Sequence, residues 1–367
     1  MDYLDWRGDI PFDTDGLNEV DSLIFSTLAY LKLHHNVSSE PGKGLSLREL
    51  APLYKTLKRT DSAFVSDKSS VLLPQLLHRC ATVSRYREVL VSGHLSRLDP
   101  QADLQFSATV FSIGKTLHYI AFRGTDDSIV GWKEDFQMSF MEAVEAQRTA
   151  LAYLEEILPK LKGDILLGGH SKGGNLAVFG GTQVEPKLRK RILGIFTNDG
   201  PGFLEQVLES EGYRGMEGKI HSLVPKSSVV GMLLSHPEQY RIVNSSEVGL
   251  LQHDPFSWEV RGNRFVYAQH LSLGSRGLRD ALQVWMARQR VEDREAFVSA
   301  LFDLVQSTGA LRLGDINLKS LETMVRVYKD MDEETQGLLK RTVSSILDES
   351  RKALGKRIAT KIGTIGK

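Results

Sequence analysis

Gly169-His170-Ser171-Lys172-Gly173 is the stretch whose residue types and spacing most directly point to chemistry. A serine flanked by glycines, directly after the apolar run Ile165-Leu166-Leu167 and directly before a helix-forming segment, is the turn that lifts a nucleophilic hydroxyl above a strand end. The glycines are needed because strand and helix backbones approach so closely there that a β-carbon would collide. The helix start favours developing negative charge, and the amide of the next residue, Lys172, is left to donate to an oxyanion, so Lys172 is expected to serve through its backbone. A glycine-rich turn without chemistry is the competing reading; Gly174, extending the small-residue run, argues against it. His170 adjoins the serine, but neighbours on so tight a turn point apart, and a structural role is expected for it.

A serine nucleophile of this kind needs an acid and then a histidine downstream in the chain. After Ser171 the histidines are His221, His236, His253 and His270, and Asp199 is the only aspartate between Ser171 and His253. Asp199 ends the apolar run Arg191–Asn198 and begins Gly200-Pro201-Gly202, which puts it at the carboxyl end of the strand after the nucleophile's own. Neighbouring parallel strands lie about 4.8 Å apart, so Asp199 reaches the same rim. A loop-capping aspartate is the alternative. One cysteine and scattered histidines make no zinc site, and Gly114-Lys115 lacks the context of a phosphate loop, so neither metal nor cofactor is expected.

The elements that must position these groups follow from hydrophobic periodicity. Residues 104–113 and 116–124 alternate or run apolar with β-branched and aromatic side chains around Gly114-Lys115, which predicts a hairpin. Helix is predicted over 141–161, strand over 164–170, helix over 172–184 and strand over 191–199. This alternation implies right-handed crossovers and a mostly parallel sheet. Residues 219–225, 240–245 and 264–270 supply three more strand candidates. Helices are expected at 18–33 behind the cap Asn18, at 46–59 and at 70–80, and four amphipathic helices beyond 275: 278–289, 294–307, 318–331 and 335–354. The expected fold class is α/β, an α/β-hydrolase core over 86–275 with a helical lead-in over 1–85 and a helical C-terminal subdomain over 276–367.

With 367 residues the chain is long enough to bury a large core. Its 41% hydrophobic and 25% charged residues are ordinary for a folded protein. Lys plus Arg (46) balances Asp plus Glu (46), so no overall field draws the chain to nucleic acid or an anionic membrane. Cys80 reads as a buried structural thiol. The first residues carry acids rather than a basic-then-apolar signal and no segment reaches the eighteen or so apolar residues of a membrane span, so the expected location is cytoplasmic. The basic end, 350–367, suits peripheral contact with an anionic lipid surface or an acidic partner, although a solvated terminus is the simpler reading. Oligomeric state is not legible.

Several stretches together resemble a known family: DYLDWRGD (2–9), GLNEVD (16–21), FRGTDDSIVGWKEDF (122–136), GHSKGGNLA (169–177), NDGPGF (198–203), VPKSSVVGMLL (224–234) and QHDPFSW (252–258). The middle ones are similar to class 3 lipases, and the whole set, spanning residues 2 to 260, resembles the bacterial Mbeg1-like family, whose fold is that of an α/β hydrolase. The resemblance implies that Thr125 or Asp126 donates a second backbone amide to the oxyanion, opposite Lys172. Arg123 and Asp135 read more simply as charges that tie down the loop around Trp132. The chain departs from class 3 lipases at His221-Ser222-Leu223-Val224-Pro225, where a serine stands in place of their aspartate, and this leaves Asp199 as the acid. A histidine shortly before an aromatic, as in Gln252–Trp258, is similar to the class 3 pattern and selects His253 as the base over His236 and His270. The implied activity is cleavage of a carboxylic ester, small or lipid, through an acyl-enzyme. Amide cleavage or acyl transfer on the same groups, and a non-catalytic binding protein, are the alternatives.

Overall fold

The computed structural model describes residues 2–33, 36–54, 67–126, 128–236, 239–312, 315–345 and 348. Strands β1 (Leu45–Ser46), β2 (Leu90–Asp99), β3 (Leu104–Ile113), β4 (Leu117–Phe122), β5 (Asp164–His170), β6 (Ile192–Asn198), β7 (Ile220–Pro225) and β8 (Tyr240–Val243) lie side by side in sequence order. After a separate ribbon of β9 (Val260–Arg261) and β10 (Arg264–Phe265), β11 (Tyr267–Ala268) closes the large sheet against β8. The five strands β4 to β8 run parallel, while β1 to β4 form an antiparallel meander and β11 pairs antiparallel. With helices on both faces this is an α/β-hydrolase fold around a parallel core.

The strands are buried on both faces, which is why they read as nearly continuous apolar runs. In β4, Tyr119 and Ala121 point into one core, and Ile120 and Phe122 into the other. Right-handed crossovers between strands laid down in sequence order put every connecting helix on the same face. Accordingly the helices Glu145–Ile157, Lys172–Gln183 and Glu211–Met216 all contribute to one core. The opposite face would be bare. It is covered by the N-terminal helices Glu19–Leu28 and Asp67–Thr82, whose Phe25, Leu28, Leu73 and Leu77 pack with Phe111, Tyr119 and Phe196 of the sheet. Buried Asp21 anchors that layer: it accepts hydrogen bonds from Tyr3 (2.9 Å), both ends of the Arg85 guanidinium (2.9 and 2.5 Å) and the Tyr86 hydroxyl.

The helices Leu273–Arg288, Val291–Gln306 and Leu318–Asp330, with a further helical stretch over 333–345, follow the last strand. Phe297, Val298 and Phe302 of the second pack on Ile129 and Trp132. Those two belong to a helix, Ile129–Gln137, in the segment expected to be a loop. The helix expected from 141 starts at Glu145, because the Gln147 side chain accepts the Val144 N–H and makes Val144 its N-cap. In the 46–59 segment a short helix, Leu47–Leu50, and a single 3₁₀ turn, Ala51–Tyr54, are described; positions 55–59, the end of the last expected helix and the basic 350–367 segment lie outside the described residues. Residues 264–270 divide between β10 and β11. No helix among the described residues is long and apolar enough to cross a membrane.

Candidate active site

β5 delivers the chain into the turn at Ser171, which adopts φ 58° and ψ −136° before the helix Lys172–Gln183 begins. A side-chain-bearing residue in that region stores on the order of 1–3 kcal/mol of strain and persists only when its surroundings fix it. Two hydrogen bonds do so: Ser171 N–H donates to Asn198 O (2.9 Å), and Gly174 N–H to Ser171 O (2.9 Å). The glycines are there for space. A β-carbon at Gly169 would lie 2.1 Å from the Gly173 carbonyl carbon, and one at Gly173 would lie 2.1 Å from Phe122 O.

Asp199 also has a left-handed backbone, φ 53°, one residue past β6, and its N–H donates to Leu223 O at 2.7 Å. Its carboxylate is fully buried. Oδ1 accepts from Ser228 Oγ (2.5 Å) and Gly231 N–H (3.1 Å), and Oδ2 accepts from His253 Nδ1 (2.7 Å). Because a carboxylate only accepts, His253 carries its proton on Nδ1 and presents a basic lone pair at Nε2. The ring is 31% exposed at the end of the 3₁₀ turn Gly249–His253, while its partner is sealed from water.

His170 joins this pair to the elbow. Its Nε2 donates to His253 O (2.8 Å), its ring centroid lies 4.6 Å from that of His253, and Tyr30 Oη stands 3.2 Å from its Nδ1. Burial, followed by the neighbouring His253, holds the His170 pKa well below the usual imidazole range, so this ring is neutral. Ser171 Oγ and His253 Nε2 have no hydrogen-bond partner among the described residues, which leaves both for a ligand.

The loop after β4 lies against the same turn. A β-carbon on Gly124 would fall 2.5 Å from His170 O and 3.0 Å from Ser171 Cβ. The N–H groups of Thr125, Asp126 and Lys172 make no hydrogen bond among the described residues, so each can still donate to a ligand. The Lys172 ammonium is turned away: it is 1% exposed and bonded to Glu134 (2.8 Å) and Gln105 O (3.1 Å), leaving its backbone to face a ligand. Thr125 Oγ1 donates to Asp135 Oδ2 (2.5 Å), whose pKa burial pushes up to about 6 against the pull of Lys172 and Thr125. Arg123, 3.4 Å from Asp126, is buried, and desolvation lowers its pKa.

Ser171, Asp199, His253, Lys172, Thr125 and Asp126 thus lie on one rim, with Asp199 and His253 bonded. Of the other histidines, His221 stacks on Phe196 within the sheet, His270 is exposed after β11, and His236 neighbours Gly202. Sequence reasoning did not find Tyr30, Ser228, Gly231 or Glu134. The VPKSSVVG stretch held the signal for Ser228 and Gly231, since a small hydroxyl and a glycine are what a sealed carboxylate needs beside it. Nothing pointed to Tyr30, 140 residues from its partner. Among the described residues no group of three His, Cys, Asp or Glu side chains could hold a metal ion.

A family model described as Mbeg1-like matches residues 80–303. No curated protein matches the chain. Among solved structures the chain is similar to M37 lipase, with 15% identity, 59% of this chain and 70% of that one covered and a TM-score of 0.37. It is also similar to the Rhizomucor miehei lipase propeptide complex, with 18% identity over 46% of this chain and 60% of that one, TM-score 0.33.

Proposed function

We propose that this chain, which belongs to the Mbeg1-like family, is a serine hydrolase of carboxylic esters that works through Ser171, His253 and Asp199. The observation that carries the proposal is the 2.7 Å bond from His253 Nδ1 to a fully buried carboxylate, beside a serine held in strained backbone at a helix N-terminus. That bond fixes the tautomer a general base needs and stabilises the imidazolium that forms.

In the first half-reaction Ser171 Oγ attacks the ester carbonyl carbon as His253 Nε2 takes the hydroxyl proton. The tetrahedral oxyanion accepts hydrogen bonds from Lys172 N–H and from Thr125 or Asp126 N–H. The intermediate collapses, the C–O bond to the alcohol breaks, and His253 returns the proton to the leaving oxygen, leaving acyl-Ser171. Water then attacks with the same base, and the carboxylic acid departs. Backbone donors unpaired among the described residues, beside a serine and a base oriented by a carboxylate, suit attack on a carbonyl, and the likeness of FRGT and GHSKGG to class 3 lipase motifs favours esters.

The test is reaction of the purified chain with a fluorophosphonate, followed by peptide mapping. Adduct on Ser171, absent in Ser171→Ala and strongly slowed in His253→Ala and Asp199→Ala, is the expected result. A folded parent protein that stays unlabelled with and without detergent would refute the proposal.

A further inference from the structure

The Tyr30 hydroxyl touches both halves of the candidate site. It accepts the backbone N–H of Gly124, the residue before the proposed oxyanion donor Thr125, and lies 3.2 Å from His170 Nδ1. A peptide carbonyl only accepts, so the 2.8 Å contact of His170 Nε2 with His253 O requires the proton on Nε2. Nδ1 then holds a lone pair, and the phenol, kept protonated by burial, donates to it. The phenol also lies 3.4 Å from the His170 carbonyl, a second acceptor, so the hydroxyl bridges the Gly124 main chain to His170, whose Nε2–H goes on to His253 O.

Resting on the hydrolase reading, we propose that Tyr30 and His170 are positioning residues. Tyr30 sets the His170 tautomer, and His170 holds the main chain of His253 so that its imidazole stays within reach of Ser171. Neither touches substrate. The 3₁₀ turn that bears His253 is exposed along one side, at Val248, Leu250 and Leu251; Gln252 ties it to Ser227 N–H (2.7 Å) and Trp258 Nε1 (2.9 Å), and His170 holds the carbonyl of the residue that carries the imidazole. A neutral His170 also fits its place. A second positive ring 4.6 Å from His253 would oppose formation of the imidazolium on which proton transfer depends. Tyr30 lies in the N-terminal layer, outside the matched residues 80–303, so that layer would complete the working site as well as cover the sheet.

The experiment compares the full chain with His170→Leu, His170→Gln and Tyr30→Phe, reading the rate of fluorophosphonate reaction at Ser171, kcat and KM on a p-nitrophenyl ester, and the thermal midpoint. His170→Leu fills the space without a donor and is expected to lower kcat and the labelling rate by about 100-fold with KM little changed, the scale of loss from a small displacement of a catalytic group. His170→Gln, whose amide presents an N–H near the place of Nε2, is expected to stay within about fivefold of the parent, and Tyr30→Phe to lose about tenfold. If all three label and turn over as the parent does, the positioning role is wrong while the hydrolase reading stands. If activity merely follows the loss of folded protein and Gln gives no rescue over Leu, the role is structural and the proposal fails. If the folded parent is itself never labelled on Ser171, the hydrolase reading fails, and this inference with it.

Discussion

Replacing Asp199 by asparagine tests the proposed base more sharply than deletion does, because the surroundings dictate which way the amide turns. Gly231 N–H can only donate, and it points at Oδ1 together with Ser228 Oγ. The amide oxygen must therefore occupy the Oδ1 position, which leaves the NH₂ facing His253 Nδ1. Two N–H groups cannot pair, so the imidazole moves its proton to Nε2 and ceases to be a base toward Ser171. The imidazolium also loses its counter-charge. At the roughly 4 Å between charge centres of a hydrogen-bonded pair, an effective dielectric near 20 gives about 4 kcal/mol, which at about 1.4 kcal/mol per decade is close to a thousandfold in rate. The shape of the side chain is kept and both Oδ1 donors remain satisfied, so the thermal midpoint should stay within about 2 °C of the parent, the shift for roughly 1 kcal/mol in a chain of this length. The assay is kcat/KM on a p-nitrophenyl ester alongside the rate of Ser171 phosphonylation. A folded Asp199→Asn protein within about threefold of the parent in both would refute the orienting role of Asp199.

Two further outcomes follow from the charges behind the proposed oxyanion loop. Lys172→Met removes the partner of fully buried Glu134 and should cost about 3–5 kcal/mol in urea unfolding, part of it recovered by adding Glu134→Gln; because the Lys172 backbone is unchanged, the folded fraction should label at Ser171 at nearly the parent rate, and a large loss there would show that the ammonium itself acts. Asp135 titrates near 6 in the folded protein, against 3.8 for a free side chain, so the folded state binds the extra proton between those values and stability falls as pH rises from about 4 to about 6, by at most about 3 kcal/mol. Asp135→Asn should flatten that part of the pH–stability curve, and an unchanged slope would place the titration elsewhere.

Much of the frame was legible because it is carried by short-range pattern. Strands buried on both faces read as mainly apolar runs, broken only at His118 in Leu117–Phe122 and at Thr197 and Asn198 in Ile192–Asn198, and the turn at Ser171 must have glycines where backbones meet. The helix Ile129–Gln137 escaped because its buried positions serve two neighbours. Glu134 faces Lys172, and Ile129 and Trp132 face the C-terminal helices, so no single apolar stripe marks it. Ser228 and Tyr30 escaped for a different reason. Their partners lie 29 and 140 residues away, and a hydroxyl in a sequence gives no sign of which acceptor the fold will bring to it.

The two residues of the candidate site with left-handed backbone, Ser171 and Asp199, share one mechanical origin. Ser171 follows β5 and hooks its N–H onto Asn198 O at the end of β6; Asp199 follows β6 and hooks its N–H onto Leu223 O in β7. In the sheet, His170 pairs with Asn198, and Asn198 with Leu223. Each bond thus extends the ladder by one residue beyond the regular strand, and the left-handed turn comes where the chain must leave it. The strain at 171 and at 199 is therefore held by strand register, with the Gly174 N–H on Ser171 O adding a local hold at 171. Placing Ser171 and Asp199 at one rim requires only that β5, β6 and β7 keep their parallel order. His253 has no such ladder. It arrives on an exposed 3₁₀ turn, and the Asp199 carboxylate and the His170 ring are what tie it to the two strand ends. The precision of the candidate site accordingly rests on the sheet for Ser171 and Asp199, the proposed nucleophile and acid, and for His253, the proposed base, on two direct contacts together with the bonds of Gln252 to Ser227 and Trp258.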